Sequence, residues 1–112
     1  MTTPSEMPAA ALVPLLSLVG YQEGATVSRI LLKRAGGTIT LFAFDAGQSL
    51  SEHTTPFDAV AHVLEGQADI TIAGTPISVT PGEMVLMPAN QPHAVQARTP
   101  FKMILTMIRS VL

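Results

Sequence analysis

The stretch that decides the fold is residues 47–66, GQSLSEHTTPFDAVAHVLEG, together with residues 81–93, PGEMVLMPANQPH. The first stretch places His53 in an extended polar segment and continues through an apolar strand to a turn at its end. The second has a Pro-Gly turn, an apolar strand and a proline-rich loop that ends at His93. Two histidines far apart in sequence, each near a strand end, are typical of a small β-barrel that builds a site in its interior.

Short extended segments continue this pattern along the chain. The predicted strands are residues 27–33, 38–44, 51–55, 60–64, 68–72, 77–79, 84–87, 93–97 and 101–108. Turn residues follow roughly every eight to twelve residues, as in antiparallel sandwiches and barrels. The sequence therefore predicts an all-β fold, an antiparallel double-stranded β-helix or jelly-roll barrel.

The N-terminal residues do not show this pattern. Residues 1–12 are polar and proline-containing at their start, and we expect them to be disordered, with residues 13–112 forming one barrel domain. Within this region we also predict a short helix, because Pro14 suits a first helical position and Gly20 suits a stop. The apolar residues at helical spacing are Leu12, Leu15, Leu16 and Val19.

The composition of the chain narrows the range of possible functions and partners. A chain of 112 residues with 47% apolar residues supports one domain with one core. The net charge of −2 and the lack of a basic run argue against nucleic acid as a partner. The chain has no cysteine, which excludes disulfides and thiolate sites and fits a cytoplasmic protein. The apolar run 9–19 has no preceding Lys or Arg and is too short for a membrane span, so we interpret it as structural.

The two opening stretches resemble the two signature motifs of the cupin family. The matching positions are Gly47, His53 and Gly66 in the first motif and Gly82, Pro88 and His93 in the second. The similarity covers roughly residues 38–97. It implies a small single-domain cupin barrel of the conserved-barrel type, which binds a small molecule and assembles as a homodimer.

The chain departs from this family at two of four metal-ligand positions. A metal-binding cupin carries three histidines and one glutamate, and the corresponding positions here are His53, Thr55, Ala59 and His93. We expect these four residues on the inner face of the barrel. With two imidazoles left, the resemblance implies weak or partial occupancy by a divalent metal, by Zn, Ni or Cu more readily than by Fe.

Three other polar side chains lie close in sequence to these positions. Asp58 lies one residue before the glutamate position and would face the interior if a bulge followed Pro56. Gln48 is close in sequence and is a candidate for a weak oxygen ligand. His62 has the wrong parity and is expected on the outer face or at an interface. The predicted ligand-binding residues are therefore His53, Thr55, His93 and Gln48, and the predicted metal ligands are His53, His93 and Asp58.

Two function classes remain open. The first is a small-molecule-binding cupin without chemistry of its own, such as a sensor, carrier or storage module. The second is a cupin enzyme, either a metal-dependent dioxygenase or an isomerase that uses His53 or His93 as acid and base. The fold does not decide between them, since many functions share one barrel.

The last predicted strand is apolar on both faces, which bears on assembly. Met103, Leu105 and Met107 fall on one face, and Ile104 and Ile108 fall on the other. Something must cover the outer face, either the N-terminal helix or a second subunit. We therefore predict a homodimer with a two-fold interface.

Overall fold

The computed structural model describes residues 6–109, and antiparallel strands form most of this part. The strands are β1 (Thr26–Arg34), β2 (Gly37–Phe44), β3 (Ser49–His53), β4 (Phe57–Glu65), β5 (Ala68–Ile72), β6 (Thr75–Val79), β7 (Met84–Met87), β8 (His93–Ala97) and β9 (Phe101–Arg109). Each corresponds to a predicted segment, with small shifts at the ends. The all-β, antiparallel jelly-roll prediction is confirmed.

The strands form two sheets that pack face to face. The large sheet has the order β1-β2-β9-β4-β7, and the small sheet has the order β3-β8-β5-β6. Alternate side chains of both sheets point into the space between them and form one core. The largest fully buried core side chains are Phe44, Val63, Ile70, Met87, Phe101 and Met103.

The interior is closed at one end and open at the other. At the closed end Phe44 stacks on Phe101, with ring centroids 4.6 Å apart, and both are fully buried. Further along β9 the inward residues Leu105 and Met107 are only partly buried. The β3–β4 and β7–β8 loops meet at this open end, where the Asn90 amide donates to the Thr55 carbonyl over 2.7 Å. We call this end the mouth.

The short helix predicted in the N-terminal segment is only a 3₁₀ turn in the part of the segment that the structure describes. Its regular structure within the described residues is one 3₁₀ turn, Leu15–Ser17, and Leu12 is fully exposed. So short a segment gains too little from helix formation to offset nucleation. Its apolar side chains instead pack on the outer face of the large sheet, where Val19 is buried against Leu41.

The prediction that residues 1–12 are disordered falls partly on residues 1–5, which lie outside the described residues. Within residues 6–12, the Met7 amide donates to the Leu31 carbonyl over 2.9 Å, and a Glu6 oxygen accepts from the Lys33 amide over 2.8 Å. The start of the described chain therefore contacts the edge of β1. Residues 6–109 contain no helix that is both long and apolar enough to cross a membrane.

A buried lysine of the large sheet holds the N-terminal segment by a hydrogen bond. Lys102 is 8% exposed, and its Nζ donates to the Leu16 carbonyl over 2.5 Å and lies 5.1 Å from the Tyr21 ring centroid. The Tyr21 hydroxyl donates to Glu65, which lies 4.0 Å from Lys102 Nζ. Burial, with the Glu65 carboxylate, raises the pKa of Tyr21 well above its usual range. The segment thus covers the outer face around Ile104.

The two motif glycines at positions 66 and 82 provide a stability test. Both have positive φ, +77° and +86°, where a side chain costs about 1–2 kcal/mol. A Cβ on Gly82 meets nothing within 4 Å, whereas one on Gly66 overlaps the Pro100 carbonyl and the Phe101 side chain. We expect Gly82→Ala to lower the free energy of unfolding by about 1–2 kcal/mol and Gly66→Ala by roughly 2–5 kcal/mol. Urea denaturation measures both, and equal losses would show that Gly66 is required for its backbone angle alone.

Candidate functional site

The structure brings His53 and His93 together at the mouth. Strands β3 and β8 pair in antiparallel fashion, with His53 directly opposite His93 in the register. The two rings meet edge to face, with centroids 4.4 Å apart and an interplanar angle of 66°. His93 is buried and His53 is exposed, so the pair runs from the interior to the surface.

A bulge in β3 makes this meeting possible. Leu50 pairs with Val95 and His53 pairs with His93, so three steps along β3 match two steps along β8. In a regular strand Leu50 and His53 would point to opposite faces, and the extra residue returns both to the interior. The sequence suggests an irregularity beside Pro56 and does not predict this bulge in β3. The extra residue belongs to the polar pair Ser51-Glu52, which leaves the hydrophobic periodicity of the sequence unchanged.

The His53 ring is held in one tautomer. Its Nδ1 lies 2.8 Å from the Ser51 carbonyl oxygen, which can only accept a hydrogen bond. The neutral ring therefore carries its proton on Nδ1, and the lone pair is on Nε2. The second nitrogen of a histidine held in this way is available to accept a proton, a hydrogen bond or a metal ion.

The His93 ring has an unsatisfied nitrogen. The side chain is 5% exposed, and its Nδ1 is buried without a hydrogen-bond partner among the described residues. Burial, assisted by the neighbouring His53, lowers the pKa of His93. The nearby Gln91 carbonyl acts to raise the pKa of His93, but it makes no hydrogen bond of normal geometry to the ring. The burial of the ring thus favours its neutral form, and a buried nitrogen without a partner costs roughly 1–3 kcal/mol.

Thr55 lies at the mouth but its hydroxyl is already used. The Thr55 Oγ1 donates to the Phe57 carbonyl over 3.2 Å and accepts from the Phe57 amide over 3.3 Å. These local bonds shape the β3–β4 loop. A ligand would have to displace them before this hydroxyl could contact it.

Neither Gln48 nor Asp58 is brought to the two rings. The Gln48 carbonyl accepts from the Ala97 amide, four residues beyond His93 on β8, which places Gln48 about 13 Å away along the strand. The Asp58 Oδ1 accepts from the Ala89 amide over 2.9 Å. No bulge precedes Ala59 in the pairing of β4, so Asp58 and Ala59 point to opposite faces.

The residues present do not fit a four-ligand metal centre. Within residues 6–109, no group of three or more His, Cys, Asp or Glu side chains is placed to hold an ion. Ala59 is fully buried on the inner face and has no donor atom, while the Thr55 hydroxyl is engaged. Two neutral imidazoles remain as possible ligands.

Sequence reasoning missed several residues around the mouth. Thr38 and Thr40 share the inner face of β2 and pair with Met107 and Leu105 of β9. The alternation in residues 38–44, TITLFAF, was the available signal, because Phe42 and Phe44 are core residues of the same parity. Arg109 lies one residue beyond the predicted end of the last strand. It pairs with Phe57, and its guanidinium carbon is 5.9 Å from that ring centroid.

Comparisons with known proteins agree with the motifs. The model of the family described as "Cupin domain" matches residues 40–108. A conserved protein of unknown function from Streptococcus pyogenes is 32% identical, with 100% of this chain and 98% of that chain covered and a TM-score of 0.89. A cupin superfamily protein from Desulfitobacterium hafniense is 28% identical, with 97% and 100% covered and a TM-score of 0.87. No curated protein matches the chain.

A third structural match is longer than this chain. The cupin 2 conserved barrel domain protein from Leptotrichia buccalis is 41% identical over 85% of this chain, with a TM-score of 0.82. The match covers 46% of that protein.

The incomplete ligand set predicts weak metal binding that two substitutions should strengthen. We expect native protein to lose divalent metal on dialysis. The double variant Thr55→His with Ala59→Glu should bind Zn²⁺ at least about tenfold more tightly, because the new carboxylate would balance the charge of the ion. Because Ala59 is buried, the double variant should melt lower than native without metal and recover with it. Elemental analysis, calorimetry and thermal melts measure these effects.

The matched control places the carboxylate elsewhere on the same face. Ala61 is as buried as Ala59 and shares its parity on β4. Thr55→His with Ala61→Glu should show the stability loss without the gain in affinity. Equal gains in both double variants would mean that the inner-face register of Ala59 is irrelevant to metal binding.

Proposed function

The chain belongs to the cupin family, and on that premise we propose that it is a small-molecule-binding cupin whose ligand enters the mouth and contacts His53 and His93. The observation that carries the proposal is the buried, unpartnered Nδ1 of His93 beside the free Nε2 of His53. A ligand that hydrogen-bonds in this pocket would offset the cost of the unsatisfied nitrogen. The surrounding inner face supplies apolar contacts, as in most small-molecule sites.

The site supports binding better than metal-dependent chemistry. The position of the family's carboxylate ligand is Ala59, and that of a further histidine is Thr55. A metal-dependent dioxygenase would need its ligands from elsewhere, and two imidazoles alone give a weak site. A sensor, carrier or storage role needs no metal.

An acid–base isomerase is the second candidate. The Ser51 carbonyl fixes the His53 tautomer and leaves Nε2 as a base at the mouth. The same histidine would then move a proton on a ligand that the pocket binds. Turnover of a bound ligand would favour this candidate over a pure binding role.

We also propose a homodimer formed through the uncovered part of the large sheet's outer face. The N-terminal segment covers the region around Ile104, but three apolar side chains further along remain more than half exposed. They are Met84 at 62%, Leu86 at 56% and Ile108 at 55%. A second copy of the chain would bury the same patch from both sides.

A cytoplasmic location is likewise our proposal, and the lack of cysteine supports it.

Ligand binding at the mouth is testable by NMR of the three histidines. We expect members of a small-molecule library to shift the ring signals of His53 and His93 and to leave that of His62 unchanged, because His62 lies on the outer face of β4. His53→Ala should weaken binding at least about tenfold, the loss of one or two polar contacts. His62→Ala is the matched control and should bind as native does. A library in which no compound moves the His53 and His93 signals would refute the binding proposal.

The dimer is testable by sedimentation. At tens of micromolar protein we expect a dimer, and Leu86→Glu should produce monomer because a buried carboxylate at a two-fold interface meets its own copy. Ile77→Glu, which adds the same charge on β6 of the small sheet, should leave the dimer intact. Native protein that sediments as monomer would rule the interface out.

A further inference from the structure

The acidic groups of the chain are unevenly placed relative to the mouth. The chain has eight Asp and Glu residues and a net charge of −2. Several carboxylates have partners away from the mouth: Glu6 with Arg34, Glu65 with Tyr21, Asp69 with Arg98, and Glu83 with Thr80. Asp58 points to the outer face and holds the Ala89 amide. Glu52 is exposed on the bulge beside His53.

Arg109 provides a cation at the rim of the mouth. It shares the inner parity of Met107 and Leu105 and pairs with Phe57, whose ring lies 5.9 Å from the guanidinium carbon. The ion pairs of residues 6–109 involve Arg34, Arg98 and Lys102, and Arg109 is within 4.0 Å of no carboxylate of this part of the chain. The N–H donors of its planar guanidinium are therefore available to bind a carboxylate ligand.

Phe57 links Arg109 to the histidine pair, because it pairs with Arg109 and follows His53 by four positions. The Cα atoms of His53 and Phe57 are at most about 14 Å apart, and those of paired residues on neighbouring strands are about 5 Å apart, so His53 and Arg109 are at most about 19 Å apart. The inner face between them carries Leu105 and Met107, both apolar and partly buried. A ligand that spans this distance needs an apolar body with a polar group at each end.

The two polar ends require different chemistry. At the rim the guanidinium donates and carries a positive charge, which favours a carboxylate. At the other end the Nε2 of the neutral His53 ring accepts a hydrogen bond, because the ring proton is on Nδ1 and is donated to the Ser51 carbonyl. That nitrogen favours a hydroxyl or N–H donor. No metal ion is needed for either contact.

We propose that the ligand is an organic hydroxy-acid with an apolar body, bound without metal, whose carboxylate contacts Arg109 and whose hydroxyl donates to Nε2 of His53. This inference rests on the proposed binding function and adds the chemical class of the ligand. The positive rim selects anions from a pool of apolar molecules of similar size. The His53 nitrogen then selects the hydroxylated members.

Three probes of one shape separate these contacts. 4-(Hydroxymethyl)benzoate has both ends, 4-methylbenzoate lacks the hydroxyl, and 4-(hydroxymethyl)benzamide lacks the charge. With a chelator present, we expect the first probe to bind at least about tenfold more tightly than either of the others, the effect of one lost charged or neutral contact. NMR titration of the His53 and His93 signals measures all three, and inorganic phosphate controls for an unspecific anion site.

Two arginine variants test the rim contact. Arg109→Gln should remove the preference for the benzoate over the benzamide and keep the binding of the benzamide. Arg34→Gln removes the same charge from β1, where it pairs with Glu6, and should keep the preference. Thermal melts check that both variants fold.

The outcomes separate this inference from the proposed function. Equal affinities for benzoate and benzamide, with both shifting the His53 signal, would overturn the anion class and leave ligand binding at the mouth intact. An effect of Arg34→Gln equal to that of Arg109→Gln would overturn the assigned contact. Failure of all three probes, while other library compounds bind, would overturn the hydroxy-acid class alone. Failure of the whole library as well would overturn the proposed function.

Discussion

The pairing of β9 with β2 on one side and β4 on the other is the constraint on which the rest of the structure depends. Its register sets Phe44 against Phe101 at the closed end and Thr38 against Met107 toward the mouth. On the opposite side it sets Ala59 against Met107 and Phe57 against Arg109. Because side chains alternate, a one-residue slip of β9 would turn its own core residues outward and separate them from their neighbours on β2 and β4. The pairing of β9 with its two neighbours therefore positions both the closed core at one end of the strands and the open mouth at the other end.

The strands were predictable because their cause is local. Apolar and β-branched residues alternate or run together between glycine and proline turns, and burying them requires two facing sheets. The convergence of His53 and His93 was predictable from motif resemblance. The bulge that makes it possible was not, because one extra residue in a polar segment leaves no trace in hydrophobic periodicity. Gln48 was misjudged for a related reason, since nearness in sequence along an extended strand means distance in space.

The N-terminal segment shows where periodicity misleads. Leucines at helical spacing predicted a helix, but Leu12 and Leu16 are exposed and the segment makes one 3₁₀ turn. A partner surface decides its conformation, because the outer face of the large sheet binds Val19 and the Lys102 ammonium holds the Leu16 carbonyl. Lys102 looks like a surface residue in the sequence, between Phe101 and Met103. Its burial depends on contacts with Leu16, Tyr21 and Glu65, which no local pattern reveals.

The histidine pair is the place where the structure departs from what folding alone favours. The rest of the small sheet's inner face is apolar along β8, with Val95 and Ala97 buried beside His93. An apolar residue at position 93 would continue that row without leaving an unpartnered nitrogen, which costs roughly 1–3 kcal/mol. A polar residue that interrupts an otherwise consistent apolar core is expected at a functional site. The loss of two metal-ligand positions removes the family's usual reason for such a histidine, and for this reason we propose a partner from outside the chain. Arg109, beside Phe57 where β4 begins at the mouth, is the reason that our proposal gives this partner a negative charge.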